Sequence, residues 1–211
     1  MKYIEKSEEP AEFSKWKSDY PTATYTDLGR DGLFPGAQRA RWSLREALLN
    51  EQKGLCCYCE SLIADGDFHI EHFRPKDPDQ FPELQLAYEN LHACCRRQRC
   101  GGDDEHCGHK KANSFSVNLV SPLDPGCSSH FEYDMTGAII GSDNDGVETV
   151  SLLRLDSALL TSSRKRLIEY FEDLDNDEYE EEIRRHLDPN AYPLGEFFTT
   201  IEYLHNRCLL H

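Results

Sequence analysis

Long apolar runs are missing from this sequence of 211 residues, so we expect no membrane-spanning segment. No basic stretch followed by an apolar one stands at the start, which argues against a secretory signal. Internal repeats and low-complexity tracts are also missing, which excludes a repeat array. We therefore predict a soluble, cytoplasmic protein that does not bind membranes and forms one compact unit with appended elements.

Basic residues are scarce: 23 lysines and arginines stand against 39 aspartates and glutamates, for a formal net charge of −16. Proteins that hold nucleic acid unaided usually have a basic face, because neutralising phosphates supplies most of the non-specific affinity. The composition thus argues against tight nucleic-acid binding by this chain alone. Acidic residues are densest over 169–182. We interpret that run as a solvated helix face or, alternatively, as a docking surface for a basic partner protein.

Proline and glycine interrupt the first 36 residues, so we predict an extended arm with little helix there. A helix is predicted over 37–52, because its apolar residues recur on one face and Gly54 follows as a stop.

The rest of the chain divides into a cysteine-rich centre and a C-terminal region. The centre alternates short apolar pieces with turns, and a strand is predicted at Phe68–His72. The C-terminal region predicts a small hairpin over residues 131–140 and a mostly helical stretch over 152–174. An amphipathic helix is predicted over 194–210. The predicted units are an N-terminal arm and helix (1–52), a central core (53–125) and a hairpin with helices (126–211).

Cysteine is abundant, and seven of the nine cysteines lie between Cys56 and Cys107. In a reducing cytosol, clustered pairs at C-x2-C spacing bind zinc more often than they form disulfides. Free thiols are disfavoured by the clustering, and a redox pair lacks its strand-then-helix context. Four thiolates close the coordination sphere of zinc, so such a site holds loops together and does no chemistry. The predicted ligands are Cys56, Cys59, Cys94 and Cys107, with Cys95 and Cys100 as alternatives.

A second group of residues suits a harder metal. Glu71 and His72 end the predicted strand, while His109 and Asn113 are predicted one helical turn apart on the same face. A carboxylate, an imidazole and an amide suit Mg²⁺ or Mn²⁺, and His72 beside them would deprotonate a water. Each piece alone has an ordinary explanation: a surface pair, a solvent-facing helix, or a helix cap at Asn90. Their combination inside a cysteine frame indicates a metal-dependent nuclease.

Four segments together resemble the HNH endonuclease superfamily and its ββα-metal fold. They are Leu55–Glu60, His69–Lys76, Tyr88–Leu91 and Cys107–Asn113. More narrowly, they resemble the PtuB components of Septu and retron-linked anti-phage systems. The resemblance covers about residues 50–125 and implies an α+β fold: a ββα-metal core stapled by a four-cysteine zinc site, with an N-terminal arm and helix and an α-helical C-terminal extension.

The resemblance also implies a role for each site residue. Glu71 and His109 would bind the catalytic metal, with Asn113 as an extra ligand, and His72 would be the general base. Asn90 would orient the histidine or shape the loop. Many members place Asn or His directly after the last zinc cysteine, where this chain has Gly108, so the choice between His109 and Asn113 as main helix ligand stays open.

The implied function is hydrolysis of phosphodiester bonds in nucleic acid, DNA or RNA, as the effector of an anti-phage complex with a PtuA-like ATPase. The alternative is a catalytically inactive, zinc-stapled interaction module with the same fold. Basic residues near the site are expected to favour binding of the nucleic-acid substrate. The alternative is that they are ordinary solvated surface charges. The residues concerned are Arg74, Lys76, Lys110 and Lys111, with Arg96, Arg97 and Arg99 as a further basic stub.

Overall fold

The computed structural model describes residues 1–63, 67–77, 79–95 and 105–210. Helices surround two small antiparallel sheets in this part of the chain, which confirms the predicted α+β class. Across the described ranges, no helix is long and apolar enough to cross a membrane. Cys100 and the basic stub of Arg96, Arg97 and Arg99 lie outside the described residues.

The first helix, α1 (Ala11–Asp19), shows that the prediction of an arm with little helix was wrong. Pro10 is the residue that precedes its first turn, where proline is tolerated because no helical hydrogen bond is lost. Phe13 and Trp16 are three residues apart on one face and are buried. Their burial stabilises a helix that the flanking prolines delimit.

The second helix, α2 (Ala37–Glu51), confirms the helix predicted over 37–52. Its buried face carries Ala40, Leu44 and Leu48, at the spacing that predicted it. Helix α1 packs against it, and the opposite surface of α2 is left free to carry polar side chains.

The central sheet pairs β1 (Phe68–His72) with β2 (Leu91–Cys95) in antiparallel register, which confirms the predicted strand. Glu71 lies opposite His92, and His69 lies opposite Cys94. Directly opposed residues project from the same face of a sheet, as do residues two apart in one strand. The short helix α3 (Cys107–Lys111) follows and contacts β2.

A second sheet, β3 (Phe131–Tyr133) with β4 (Ile139–Gly141), confirms the predicted hairpin. Its turn contains Gly137 at φ +80°, and a Cβ there would lie 2.6 Å from the backbone nitrogen of Lys165. The hairpin therefore needs glycine at this position to approach the helix beneath it.

Among the described residues after the hairpin lie four helices: α4 (Asn144–Leu153), α5 (Ala158–Glu172), α6 (Asn176–His186) and α7 (Phe198–Asn206). The helical stretch predicted over 152–174 is broken, because Arg154 adopts a left-handed conformation and ends α4. Ser157 then begins α5 by accepting a hydrogen bond from the Leu160 N–H. The helix predicted over 194–210 is real but shorter at both ends.

Glu60 ties the cysteine-bearing loop after α2 to the C-terminal helices. Its buried carboxylate accepts hydrogen bonds from the Thr199 N–H (2.7 Å) and the Thr199 hydroxyl (2.5 Å). Burial alone would raise the pKa of Glu60, but the Met1 amino group and the Thr199 bonds outweigh it and lower the pKa. The carboxylate is therefore ionised at neutral pH, and this charged contact joins regions 139 residues apart.

Candidate metal centre and active site

A cluster of buried cysteines joins three segments of the central region. The sulfurs of Cys56, Cys94, Cys95 and Cys107 all lie within 4.8 Å of one another. Cys56 Sγ is 3.8 Å from Cys94 Sγ and 4.0 Å from Cys107 Sγ. Tetrahedral zinc with Zn–S bonds of about 2.3 Å places its sulfurs about 3.8 Å apart. The cluster could therefore bind a metal such as zinc.

Cys59 lies at the edge of the same cluster, with its sulfur 3.8 Å from Cys95 Sγ. The predicted ligand set contains Cys59, whereas the tightest group of four contains Cys95 instead. The two sulfurs are neighbours, so the fourth ligand stays a prediction to be tested.

Backbone hydrogen bonds hold the cluster in place. The Cys57 N–H donates to the Ala93 carbonyl at 3.1 Å, which fixes the loop against β2. The Gly108 N–H donates to Cys94 Sγ at 3.3 Å, which fixes the start of α3 against β2. Burial raises the pKa of the Cys56 thiol, but hydrogen bonds from neighbouring thiols outweigh it and leave that pKa well below its usual value.

An open pocket of about 470 Å³ lies beside the cluster, between α2, β1 and α3. It brings together the predicted hard-metal ligands and the predicted base, although they come from different elements. The side chains on its wall that can act chemically are Tyr25, Arg41, Arg45, His69, Glu71, His72, Lys76, His109 and Asn113.

Glu71 supplies the negative charge of this pocket. One carboxylate oxygen, Oε1, is 2.8 Å from Lys111 Nζ and accepts a hydrogen bond from the Tyr58 hydroxyl at 3.3 Å. The other, Oε2, is 3.2 Å from His69 Nε2. Burial raises the pKa of Glu71, but His69 and Lys111 together bring it below its ordinary value. Glu71 is therefore a carboxylate at neutral pH, and its Oε2 lies beside His69, which also lines the pocket.

His109 and Asn113 both line the pocket. The prediction that they lie one turn apart on the same helix was wrong. Helix α3 ends at Lys111, because Ala112 adopts φ +48° and turns the chain away. Asn113 therefore reaches the pocket from the loop after the helix. The His109 ring lies on α3 with its centroid 4.8 Å from that of His69.

His72 is held in a defined orientation at the end of β1. Its Nε2 is 3.0 Å from the Gln85 carbonyl oxygen, and the Tyr25 ring packs edge-on at 4.4 Å between centroids. A carbonyl oxygen only accepts, so Nε2 carries the hydrogen and Nδ1 keeps the lone pair. Burial lowers the pKa of His72 to about 4. The neutral imidazole is thus the form present at physiological pH, as a general base requires.

Asn90 is buried beneath the loop that follows β1. Its Oδ1 accepts a hydrogen bond from the Arg74 N–H at 2.7 Å, and its Nδ2 donates to the carbonyls of Arg74 (2.9 Å) and Leu84 (3.0 Å). Of the two roles implied for Asn90, these bonds match the shaping of the loop.

The basic residues expected near the site divide into two kinds. Arg74, Lys76 and Lys110 are exposed, and Lys76 lines the pocket. Lys111 is buried, and the expectation that it offers charge to the substrate was wrong. Its side chain runs from the last turn of α3 towards β1, where it pairs with Glu71 and donates to the His72 carbonyl at 2.9 Å.

Sequence reasoning missed four side chains of the pocket: Tyr25, His69, Arg41 and Arg45. A local signal was present for the last three. His69 stands two residues before Glu71 in a predicted strand, so both project from one face. Arg41 and Arg45 are four residues apart in a predicted helix and also share a face.

Replacing Lys111 by methionine should destabilise the chain by about 3–5 kcal/mol, because the Glu71 carboxylate would stay buried without its counter-charge. The matched control is Lys110→Met, the exposed neighbour, which should change the free energy of unfolding by less than about 0.5 kcal/mol. Urea unfolding of both variants measures the difference. Equal stability of the two would show that Lys111 does not balance Glu71.

No protein-family model matches the chain. It is 28% identical over 134 residues to a Vibrio cholerae (serotype O1 biovar El Tor) protein named "Retron Vc95 putative HNH endonuclease", covering 60% of this chain and 63% of that protein. It is 25% identical over 202 residues to "Septu protein PtuB" of Bacillus mycoides (strain KBAB4), covering 78% of this chain and 66% of that protein.

The chain is related to HNH-like defence proteins. The predicted resemblance is confirmed at that level, with modest identity to both relatives. In each case the match spans slightly less than two thirds of the HNH-like relative's own length.

Proposed function

We propose that this chain is a metal-dependent HNH endonuclease that hydrolyses phosphodiester bonds as the effector of an anti-phage defence complex. The observation that carries this proposal is the pocket in which Glu71, His109, Asn113 and a neutral His72 meet. Strands β1 and β2 with α3 would form the ββα-metal core, which we assign to residues 53–125. The cysteine cluster would hold a structural zinc ion through Cys56, Cys94, Cys107 and either Cys59 or Cys95.

The residues present fit a hard divalent cation such as Mg²⁺ or Mn²⁺. Glu71 offers an ionised oxygen, His109 an imidazole nitrogen and Asn113 an amide oxygen, all on the wall of one open pocket. A cation bound there would neutralise charge that builds up on the phosphate oxygens. The open pocket leaves space for both water and a phosphodiester, in contrast to the closed cysteine cluster.

His72 would act as the general base. Its Nδ1 lone pair accepts a proton from a water molecule, whose oxygen then forms a bond to phosphorus. The bond between phosphorus and the 3′ oxygen breaks, and that oxygen takes a proton from solvent. The products carry 5′-phosphate and 3′-hydroxyl ends. The Gln85 carbonyl stabilises the imidazolium that forms, because it holds the Nε2 hydrogen.

Arg41, Arg45 and Lys76 would bind backbone phosphates on either side of the scissile bond. They line the same pocket as the candidate ligands and give it positive charge although the whole chain is acidic. Contacts to phosphates do not distinguish one base sequence from another, and they form with DNA as well as with RNA. We propose DNA as the substrate, with RNA as the second candidate.

A PtuA-like ATPase would supply the affinity that the acidic chain lacks, within the cytoplasm. One relative bears the name of a Septu component, which supports a partner of this kind. Helices α5 and α6 bury Phe171, Tyr179 and Ile183 and expose their acidic side chains to solvent. A basic surface of the ATPase would dock on this acidic face.

The test is cleavage of plasmid DNA and structured RNA by the chain alone and with its ATPase, in Mg²⁺, Mn²⁺ or chelator. We expect metal-dependent cleavage, faster in the complex, with 5′-phosphate ends that a ligase can rejoin. A folded, zinc-loaded complex that cuts neither substrate under any condition would favour the inactive interaction module instead.

A further inference from the structure

The imidazole of His69 has no role in the catalytic arrangement described above, although it faces the same pocket. It stands on the same face of β1 as Glu71, and its Nε2 is 3.2 Å from Glu71 Oε2. Two ligands of one cation at about 2.1 Å each lie about 3.0–3.4 Å apart in octahedral or tetrahedral geometry. The two atoms therefore have the spacing of neighbouring ligands on one ion.

Gly108 makes room for this pair. A Cβ at position 108 would lie 2.5 Å from His69 Nε2 and closer still to Glu71 Oε2. No side chain fits there without moving both groups. The space next to the first turn of α3 is therefore filled by the side chains of His69 and Glu71. The helix contributes its next residue, His109, whose ring centroid is 4.8 Å from that of His69. Two imidazoles and one carboxylate thus line the same part of the pocket, where α3 meets β1.

Lys111 decides which oxygen of Glu71 is available. Its ammonium group and the Tyr58 hydroxyl both contact Oε1, at 2.8 and 3.3 Å. Oε2 is left on the side of His69, which lines the pocket, whereas Lys111 and Tyr58 do not. A cation bound monodentately by Glu71 would therefore meet His69 Nε2 at the same position.

We propose that His69 is a direct ligand of the catalytic cation, through Nε2 and together with Glu71 Oε2. The His69 nitrogen, which comes from β1, occupies the space that a side chain at position 108 of α3 would otherwise fill. This assignment rests on the proposed function, because it concerns the cation of the same pocket. The proposed protein ligands of the cation are then His69, Glu71 and His109. Asn113 lines the same pocket, and water would complete the coordination shell.

Electron paramagnetic resonance of bound Mn²⁺ tests the assignment without relying on activity. At saturating Mn²⁺, the wild-type chain should show nitrogen modulation from two imidazoles, and His69→Ala should show one fewer. The affinity for Mn²⁺ should fall at least about tenfold, since the loss of even an outer partner of a ligand costs about that much. His130→Ala is the control, because His130 pairs with the exposed Asp143 and lies outside the pocket.

His109→Ala covers the case in which His69→Ala fails to fold, because β1 must then supply any imidazole nitrogen that remains on the ion. Loss of all nitrogen modulation in His109→Ala, or an unchanged count in folded His69→Ala, means that His69 only hydrogen-bonds Glu71, and the inference is overturned. If the wild-type chain still cleaves nucleic acid with Mn²⁺, the proposed function stands. A wild-type chain that neither binds Mn²⁺ nor cleaves overturns both.

Discussion

Removal of metal from the cysteine cluster should unfold the chain. A structural zinc site contributes about 10–16 kcal/mol in zinc-finger peptides, which equals or exceeds the usual total stability of about 5–15 kcal/mol. The cluster joins the loop after α2, the end of β2 and the start of α3, so its loss separates all three. Elemental analysis should find one zinc ion per chain, and circular dichroism should follow unfolding as a strong chelator extracts it.

Serine substitutions resolve which sulfurs bind. Cys56→Ser, Cys94→Ser and Cys107→Ser should each lose zinc and the cooperative melting transition. Of Cys59→Ser and Cys95→Ser, the variant that loses zinc identifies the fourth ligand. Cys208→Ser is the control, because Cys208 is exposed and distant in sequence from the cluster. A chain without zinc that melts like wild type would show that the cluster is only a group of buried thiols.

His72→Ala should reduce cleavage by about 10²–10⁴-fold, the usual contribution of a general base. Zinc content should be unchanged, because His72 contacts Gln85 and Tyr25 and lies outside the cysteine cluster. Cleavage rates at saturating Mn²⁺, measured for the ATPase complex, give the comparison. His130→Ala again serves as control and should cleave at the wild-type rate.

Near-normal cleavage by His72→Ala would remove the base from the mechanism. Its burial and its hydrogen bond to Gln85 would then be structural, and the pocket would need another proton acceptor. Loss of cleavage together with loss of Mn²⁺ binding would contradict the mechanism differently, since it would make His72 a ligand.

The parts of the site that sequence could anticipate depend on local spacing. Glu71 and His72 follow from a short strand, and the cysteine pairs follow from zinc-ligand spacing, so their neighbourhoods could be predicted. Burial of Lys111 could not, because it depends on which face of α3 meets β1. Arg41 and Arg45 lie in a helix predicted correctly, yet nothing local indicates that this helix forms a wall of the pocket.

Errors in the predicted elements have two physical causes. Proline before α1 predicts a break in the helix, whereas in the structure it marks the start of one. Ala112 and Arg154 end helices in left-handed conformations without the glycine that usually signals such a turn. Tertiary packing stabilises those conformations, so a single sequence carries no mark of them.

Lys111 also determines the net charge of the pocket before a cation binds. Its ammonium group cancels the Glu71 carboxylate, while Arg41, Arg45 and Lys76 leave the wall positive. Under the proposed function, a divalent cation that enters alone would be repelled by these groups, and a phosphodiester would relieve the repulsion. Thermodynamic linkage would make the effect mutual: nucleic acid would raise the affinity for the cation by the same factor by which the cation raises the affinity for nucleic acid. The buried lysine would thus couple loading of the cation to arrival of the strand to be cut.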